Sequence, residues 1–553
     1  MSQGVSQGLR WSSALLVLLA GLVHALSMAW PFSFGVLPGL APGQASGGLQ
    51  LASLAVLVWQ LDAVRRPVQG LQLGWLFALA MLAGTFWWLF ISMHRYGGLP
   101  AALAVVAVLA LAGLLALYYA AAAGAYVRFA PRSKMGRALL FAGLWLLAEL
   151  ARVKLFTGFP WGEGGYAHVD GWARPLAAWV GVHGLTWLAA AMAAGVALLL
   201  CSALNASSTD PNSGASRGMK TQAWIPLMSL LAVAWGLASL PPSAALSQAD
   251  AIPERPPLSV TLLQGNIPQD LKFQPGTGVS DALRFYGEQL LTAQTELIVL
   301  PETALPLMPH QLPEGYLARL QARFADGKQA ALMGMPLVER MNGRDDYSNS
   351  VVGLAPGAVP YRYDKHHLVP FGEFIPPFFQ WFIRMMDIPL GDFKRGALGQ
   401  PPFEWRGERL APNICYEDLF GEELGMSFKD PARAPTLLVN VSNIAWFGNT
   451  VAIDQHLHIS RLRALEFARP MLRATNTGAT VVINAQGVVT HSLPRHTRGA
   501  LVAEVRGVDG LTPYARWVPK FGLWPWVLLG AFSLAAALLA KQRSSDQLRM
   551  PPA

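Results

Sequence analysis

The sequence predicts a polytopic α-helical membrane domain of eight transmembrane helices joined to an α/β sandwich domain held outside the membrane. Three observations carry that fold class. The 553-residue chain is 53% hydrophobic and only 14% charged, with a mean hydropathy of +0.34; ordinary globular chains carry about 25% charged residues. About 21 of its 75 charged residues (42 Lys and Arg, 33 Asp and Glu) precede position 257, nearly half the length. Seven long apolar stretches fill that half, and an eighth lies near the end. Disorder and a wholly soluble protein are excluded, and two cysteines in so long a chain exclude a disulfide framework.

The apolar stretches lie near 12–30, 47–63, 72–93, 99–127, 138–156, 175–203, 222–241 and 521–540. Each holds about 17 or more apolar residues, and about 20 residues in a helix cross a bilayer core. Arg10 precedes the first, but Trp30-Pro31 follows it where a cleaved signal peptide would end in small residues, so it counts as a span. Orientation follows from Lys and Arg in short loops. Arg10, Arg65, Arg66, Arg128, Arg132, Lys134, Arg137, Arg217, Lys220, Lys541 and Arg543 fall on one side of an eight-span topology, with Arg95, Arg152, Lys154 and Arg174 against it. Both termini are then cytoplasmic, and residues 242–520 lie outside. The net charge of +9 marks the inner side, and no nucleic-acid partner is expected. The expected division is 1–241 as a seven-helix membrane domain, 242–256 as a linker, 257–510 as the extracytoplasmic domain, and 511–553 as the last helix and a cytoplasmic tail. Residues 203–219 are a polar Ser/Asn/Gly linker on the inner side, which makes the Asn205-Ala206-Ser207 sequon meaningless.

Residues 257–510 alternate short β-rich runs with turns and helical stretches. The runs are LSVTLLQ, ELIVLPE, AALMGMPLV, NSVVGLAP, RLAPNICYE, TLLVNVSN and ATVVINAQG. Helical periodicity appears at 281–294 and at 454–472, where Leu457, Leu462, Leu465 and Phe467 make an apolar face. Interleaved strands and helices suggest the mixed α/β sandwich.

Three strand ends each present one chemically pointed residue. LIVL ends in Pro301-Glu302-Thr303, YRYDKHH places Lys365 before a Pro/Gly-rich loop, and NICYED places Cys415 at a strand-to-helix turn. That turn exposes a nucleophile and offers it a helix N-terminus. Cys201 sits near the cytoplasmic end of the sixth span and cannot meet Cys415, so Cys415 is a lone thiol on the oxidising side. A buried small hydrophobe and a nucleophile are both open to it. As a nucleophile it needs a base and positive neighbours, for which Glu302 and Lys365 are candidates; each alone also fits a surface or salt-bridged residue.

PETALP, YDKHHLVPFGEF and NICYEDLF, in that order, resemble the Glu–Lys–Cys triad of the nitrilase (carbon–nitrogen hydrolase) superfamily. With QGNIPQ at 264–269, FTGFPW at 156–161, WFGN at 446–449 and RATNTGAT at 473–480, the whole chain resembles the apolipoprotein N-acyltransferase family of Gram-negative bacteria. The resemblance implies a nitrilase-like αββα sandwich in a bacterial inner (cytoplasmic) membrane protein, its catalytic domain facing the periplasm. It implies Glu302 as general base, Lys365 as oxyanion stabiliser and Cys415 as nucleophile. Glu373 matches a second family glutamate that orients the lysine or handles protons, while Tyr416 and Glu417 match neighbours in the cysteine motif. Two positions depart from the family pattern: Phe273 stands where tryptophan is common, and Ile444 where an acidic residue often precedes AWFG.

The implied reaction is acyl transfer through a thioester, from the sn-1 ester of a phospholipid donor to the α-amino group of a diacylglyceryl apolipoprotein acceptor. It needs no metal, nucleotide or other cofactor, and a monomer is expected. The competing expectation is a membrane-tethered amidase whose thioester is resolved by water. Residues 374–393, rich in aromatics and Met, read as a mobile membrane-dipping arm or acyl-chain lid. Phe378 and Trp381 on that arm, with Phe273 and Trp446, are the candidate lipid contacts. Glu149 and Arg152, at i,i+3, are expected to pair structurally. His366-His367 and His456-x-His458 lack companion ligand spacing, and residues i,i+2 on a helix point to different faces, so no metal site is expected.

Overall fold

The structure, a computed structural model, describes residues 9–33, 40–207, 225–240, 255–325, 327–341, 343–357, 359–375 and 393–547. The chain divides into two compact units, one of Met1–Trp87, Val105–Leu240 and Leu523–Ala553, the other of Trp88–Ala104 and Pro241–Gly522.

In the first unit every apolar stretch carries helix: Trp11–Met28, Gly47–Ala63, Pro67–Thr85, Ala101–Phe129, Lys134–Lys154, Ala177–Ser207, Ile225–Ala238 and Trp524–Gln547. Among the described residues, five segments are long and apolar enough to cross a membrane: Trp11–Met28, Pro67–Thr85, Ala101–Phe129, Arg174–Cys201 and Trp524–Arg543. Gly47–Ala63 has 17 residues and Ile225–Ala238 has 14. Lys134–Lys154 is long enough at 21 but carries Lys134, Arg137, Glu149, Arg152 and Lys154. The stretch expected over 72–93 begins earlier, because Pro67 pre-sets the first helical turn, and it stops at Thr85. Close packing here uses small residues: a Cβ on Gly143 would lie 2.5 Å from the Ser533 Cβ, so those two helices meet nearly backbone to backbone.

FTGFPW forms the turn that leaves Lys134–Lys154. Phe156, Thr157 and Gly158 take φ of 54°, 72° and 85° in succession. Arg152 steadies the turn, Nη1 donating to the carbonyls of Trp161 at 2.6 Å and Phe159 at 3.2 Å. Glu149 accepts from Gly164 N and from Thr186 Oγ1, both at 3.0 Å. The expected Glu149–Arg152 pair is therefore replaced by two separate clamps on the 159–165 loop and its neighbour Thr186, because main-chain groups beside them need partners more urgently.

Among the described residues of the second unit, twelve strands form two six-stranded sheets. The first holds β1 (Leu258–Gln264), β2 (Leu297–Val299), β3 (Ala330–Met341), β4 (Arg344–Leu354), β5 (Tyr361–Asp364) and β12 (Gly499–Val505), in the order β12-β1-β2-β3-β4-β5. The second holds β6 (Phe403–Trp405), β7 (Glu408–Ile414), β8 (Leu437–Ser442), β9 (Met471–Thr475), β10 (Val481–Ile483) and β11 (Val489–Ser492), in the order β11-β10-β9-β8-β7-β6. Strands β1, β2 and β3 are parallel, as are β7, β8 and β9. Parallel strands need both faces covered. One core lies between the sheets, where Val260, Leu262 and Val299 meet Ile414, Val439 and Leu472. A second lies under helices Gly278–Thr292 and Tyr316–Ala325, where Tyr286, Leu290 and Phe324 cover Ile298, Leu300 and Met333. Helix Ala452–Phe467 packs beside β9. The helical reading of 454–472 needs correcting at its end: Ala468 turns left-handed at φ 48°, and 471–475 is strand β9.

Candidate active site

Cys415 follows β7 directly and starts a single 3₁₀ turn, Cys415–Leu419. Its φ is +53°, a left-handed conformation that costs a non-glycine residue about 1–3 kcal/mol. The surroundings hold it there. Glu417 Oε2 accepts from Ile414 N at 2.6 Å and from Tyr363 Oη at 2.9 Å. Its Oε1 accepts from His366 N at 2.7 Å and His367 N at 3.2 Å. One carboxylate thus ties the Cys415 turn to the residues after Lys365, and burial raises its pKa to about 7. From behind, His456 Nε2 lies 3.2 Å from the Cys415 carbonyl and 3.0 Å from Asp418 Oδ1. Arg473 Nη2 donates to His456 Nδ1 at 2.8 Å, which fixes the imidazole as the Nε2–H tautomer. Tyr416 is buried against His367 and Phe420, their ring centroids 5.7 and 5.4 Å from its own.

Glu302 lies three residues past the end of β2, beside Thr303 at φ 49°. β3 crowds that turn so closely that a Cβ on Gly334 would fall 2.3 Å from the Pro301 carbonyl. Oε1 of Glu302 accepts from Asn349 Nδ2 at 2.8 Å and Lys365 Nζ at 3.3 Å, and Oε2 accepts from Asn443 N at 2.9 Å. Lys365 follows β5 and is 1% exposed. Its Nζ also reaches Glu373 Oε1 at 2.9 Å, and that oxygen accepts from Asn349 Nδ2 at 2.7 Å. The other Glu373 oxygen accepts from Val369 N at 2.8 Å.

The electrostatics follow from this packing. Burial alone would raise the pKa of Glu302, but the Lys365 ammonium, Asn349 and Lys272 outweigh it and hold the group below its ordinary value. Burial opposes the charge on Lys365, yet Glu302 and Glu373 raise its pKa above the usual lysine value. Burial and the Glu302 charge push the Cys415 thiol up to about 12, with Lys365 and the Ser442 hydroxyl pulling the other way. The resting state is therefore a neutral thiol beside an ionised carboxylate and an ammonium. A base that takes the proton as the sulfur attacks suits this arrangement better than a standing thiolate.

The structure brings Glu302, Lys365, Glu373, Cys415, Tyr416 and Glu417 into one region of the second unit. QGNIPQ and RATNTGAT meet beside them through Asn443, three residues before WFGN. Asn476, in RATNTGAT, accepts from Ile267 N at 3.0 Å and donates to Asn443 Oδ1 at 3.1 Å, while Asn443 donates to Gln269 Oε1 at 2.8 Å. Phe273 is 54% exposed and Trp446 38%, the latter edge-to-face with Tyr96 at 5.6 Å. Ile444 is buried, its Cγ2 2.6 Å from where a Cβ on Gly478 would sit, so an apolar contact fills the place of the family's acid. Phe378 and Trp381, with nearly all of the expected arm, lie outside the described residues. Among the described residues no group of three His, Cys, Asp or Glu side chains is arranged to hold a metal. Each histidine of the two pairs has another neighbour, Gly396 O for His366, Glu423 for His367, Asp418 for His456 and Arg461 for His458. Sequence reading missed Lys272, Asn349, Asn443, Ser442 and the Asp418–His456–Arg473 group. Signals existed for three of these residues: Lys272 closes QGNIPQDLK, Asp418 lies in NICYEDLF and Arg473 opens RATNTGAT.

Residues 259–509 match the Carbon-nitrogen hydrolase family, which sets the class of the second unit. Residues 34–195 match the Apolipoprotein N-acyltransferase N-terminal domain. The apolipoprotein N-acyltransferase of Verminephrobacter eiseniae is 55% identical over 524 residues, 92% of each chain. That of Ralstonia nicotianae is 43% identical over 500 residues, 90% of this chain and 89% of the relative, and that of Bordetella bronchiseptica 40% over 566, 96% and 97%. The chain belongs to the apolipoprotein N-acyltransferase family, and it is an acyltransferase.

Proposed function

We propose that this protein moves a fatty acyl chain from the sn-1 position of a phospholipid to the α-amino group of S-diacylglyceryl-cysteine at an apolipoprotein N-terminus, the last step of lipoprotein maturation. The observation that carries the reading is Lys365 held between Glu302 and Glu373 beside a half-buried thiol on a strained turn. Glu302 takes the Cys415 proton as the sulfur attacks the ester carbonyl. Lys365 and the Tyr416 N–H receive the oxyanion, lysophospholipid leaves with the proton, and a thioester remains. The acceptor amine then attacks that thioester, its proton passes to Glu302, and the thiol is regenerated. Two bulky lipids need not be bound together, which makes the kinetics ping-pong. Glu373 orients Lys365, Glu417 fixes the cysteine turn, and Phe273, Trp446, Phe378 and Trp381 contact acyl chains.

The proposed setting is the bacterial inner membrane, crossed eight times by a monomer with both termini cytoplasmic and residues 257–510 periplasmic. Of the helices proposed to cross, Lys134–Lys154 carries Lys134, Arg137, Glu149, Arg152 and Lys154, charges that face the protein or the membrane surface rather than lipid. The test is intact-mass analysis of the purified protein after incubation with phospholipid vesicles. An acyl adduct that is lost in Cys415→Ala, and that passes to a diacylglyceryl-cysteine peptide, is expected. No adduct on the wild-type protein overturns the reading, and an adduct cleared by water at the same rate with or without peptide points to an amidase.

A further inference from the structure

The reaction as written gives no task to Lys272, a buried cation beside Glu302. Lys272 lies on the turn between β1 and helix Gly278–Thr292 and is 2% exposed. Its Nζ donates to the main-chain carbonyl of Glu302 at 3.1 Å and sits 5.9 Å from the Phe273 ring centroid. Neither contact carries charge, and a buried ammonium is costly unless an anion offsets it. At rest that anion is the Glu302 carboxylate, and the Cys415 sulfur becomes a second one only when it loses its proton. Burial lowers its pKa to about 8, which leaves it mostly protonated at neutral pH.

A charge count gives Lys272 a task. At rest Glu302 and Glu373 face Lys365 and Lys272, and the thiol is neutral. During attack the S–H bond breaks and its proton goes to Glu302. The sulfur electron pair forms the S–C bond, and the carbonyl π pair moves onto oxygen. Glu302 is then neutral, leaving Glu373 with two ammoniums against one new oxyanion. Without Lys272 the remaining Glu373–Lys365 pair would already be neutral, and the new negative charge would be unmatched in a buried site. The tether to the Glu302 carbonyl also fixes the turn that aims the base.

We propose that Lys272 is a positioning residue for acyl transfer, which holds the Glu302 main chain and supplies the positive charge that offsets the anion formed when Glu302 takes the thiol proton. This rests on Cys415 as nucleophile and Glu302 as base. The groups that share the site's charge are Glu302, Lys365, Glu373 and Cys415, with Glu417 beside Lys365 and the Asp418–Arg473 pair acting on the sulfur from behind.

Lys272→Gln tests it, because the amide still donates to the Glu302 carbonyl while the charge is lost. The full-length protein is followed by two readouts: acyl-adduct formation from phosphatidylethanolamine vesicles, and the pH profile of iodoacetamide alkylation measured on the Cys415 peptide. The expected result is adduct formation slowed about 10- to 100-fold and an alkylation profile displaced upward by about one pH unit, with Lys272→Arg returning toward wild type. A Lys272→Gln protein with wild-type adduct rate and pH profile overturns the proposal. If Lys272→Gln does not fold, Lys272→Arg decides: a wild-type profile supports the charge role, and a displaced one overturns it. Failure of the wild-type protein to form any adduct would instead overturn the reading of Cys415, so the two failures are distinguishable.

Discussion

In the second unit Lys365 lies between Glu302 and Glu373, at 3.3 and 2.9 Å, and the three charges answer one another beside a thiol. In the first unit Glu149 and Arg152 stand three residues apart on one helix, both 1% exposed, and go separate ways. Arg152 clamps the carbonyls of Phe159 and Trp161, and Glu149 takes Gly164 N and Thr186 Oγ1. Residue types and burial are alike in the two places; the partners differ. Charge that meets charge beside a thiol can be redistributed when a proton moves. Charge that meets main-chain and hydroxyl groups has no such freedom and serves to shape a loop.

That contrast makes substitutions in the two clusters fail differently. The largest effect is expected at Cys415→Ala, which should form no acyl adduct by intact mass while melting near the wild-type temperature. Glu302→Gln and Lys365→Met should slow adduct formation by about 10³-fold in single-turnover assays. Glu373→Gln should cost about 10- to 100-fold, since Lys365 keeps Glu302 as a partner. Arg152→Met should leave the rate per folded molecule unchanged and destabilise the protein by about 2–4 kcal/mol, read as a lower midpoint in thermal unfolding. If Arg152→Met slowed the chemistry without lowering the midpoint, the division of labour would be wrong.

The smallest effect concerns pH. Glu302 is held below its ordinary pKa, so its contribution to stability is present above the unfolded value, about 4.3, and is lost as pH falls through the folded value. Melting temperature below about pH 4.5 should therefore fall less steeply in Glu302→Gln than in wild type. Equal slopes would show that the Glu302–Lys365 pair adds nothing to stability.

Much of the catalytic fold was legible, because β1, β3, β4, β7 and β8 are apolar runs ended by turn residues. β5 and β6 were not: YRYD and FEW are short and partly exposed, and only pairing with β4 and β7 makes them strands. β9 reads as part of the preceding helix because Leu465, Phe467, Ala468, Met471 and Leu472 carry the apolar pattern past Pro470, whereas the helix already ends at the left-handed Ala468. Arg469 and Arg473 added to the difficulty, since charge normally signals surface, whereas both are at most 1% exposed. At the site, Glu302, Lys365 and Cys415 stood out because each follows a strand, where local sequence determines exposure. Asn349 and Asn443 did not, because asparagine reads as a turn former, and their partner Glu302 is 47 and 141 positions away. Eight spans are expected from apolar content, and among the described residues five helices are long and apolar enough to cross a membrane.

Trp88–Ala104, although it lies in sequence between helices of the first unit, folds with the second. Trp88 donates to Gln455 at 3.1 Å and packs against Phe447 with ring centroids 4.2 Å apart, Ile91 comes within 3.4 Å of a Cβ placed on Gly448, and Tyr96 meets Trp446. These contacts brace the loop that follows Asn443, whose N–H holds Glu302. The catalytic unit is consequently not a module that a gene could pass on as one continuous segment. A fragment starting at 257 would lack its own brace, and a graft onto a foreign anchor would have to carry seventeen residues from elsewhere in the chain.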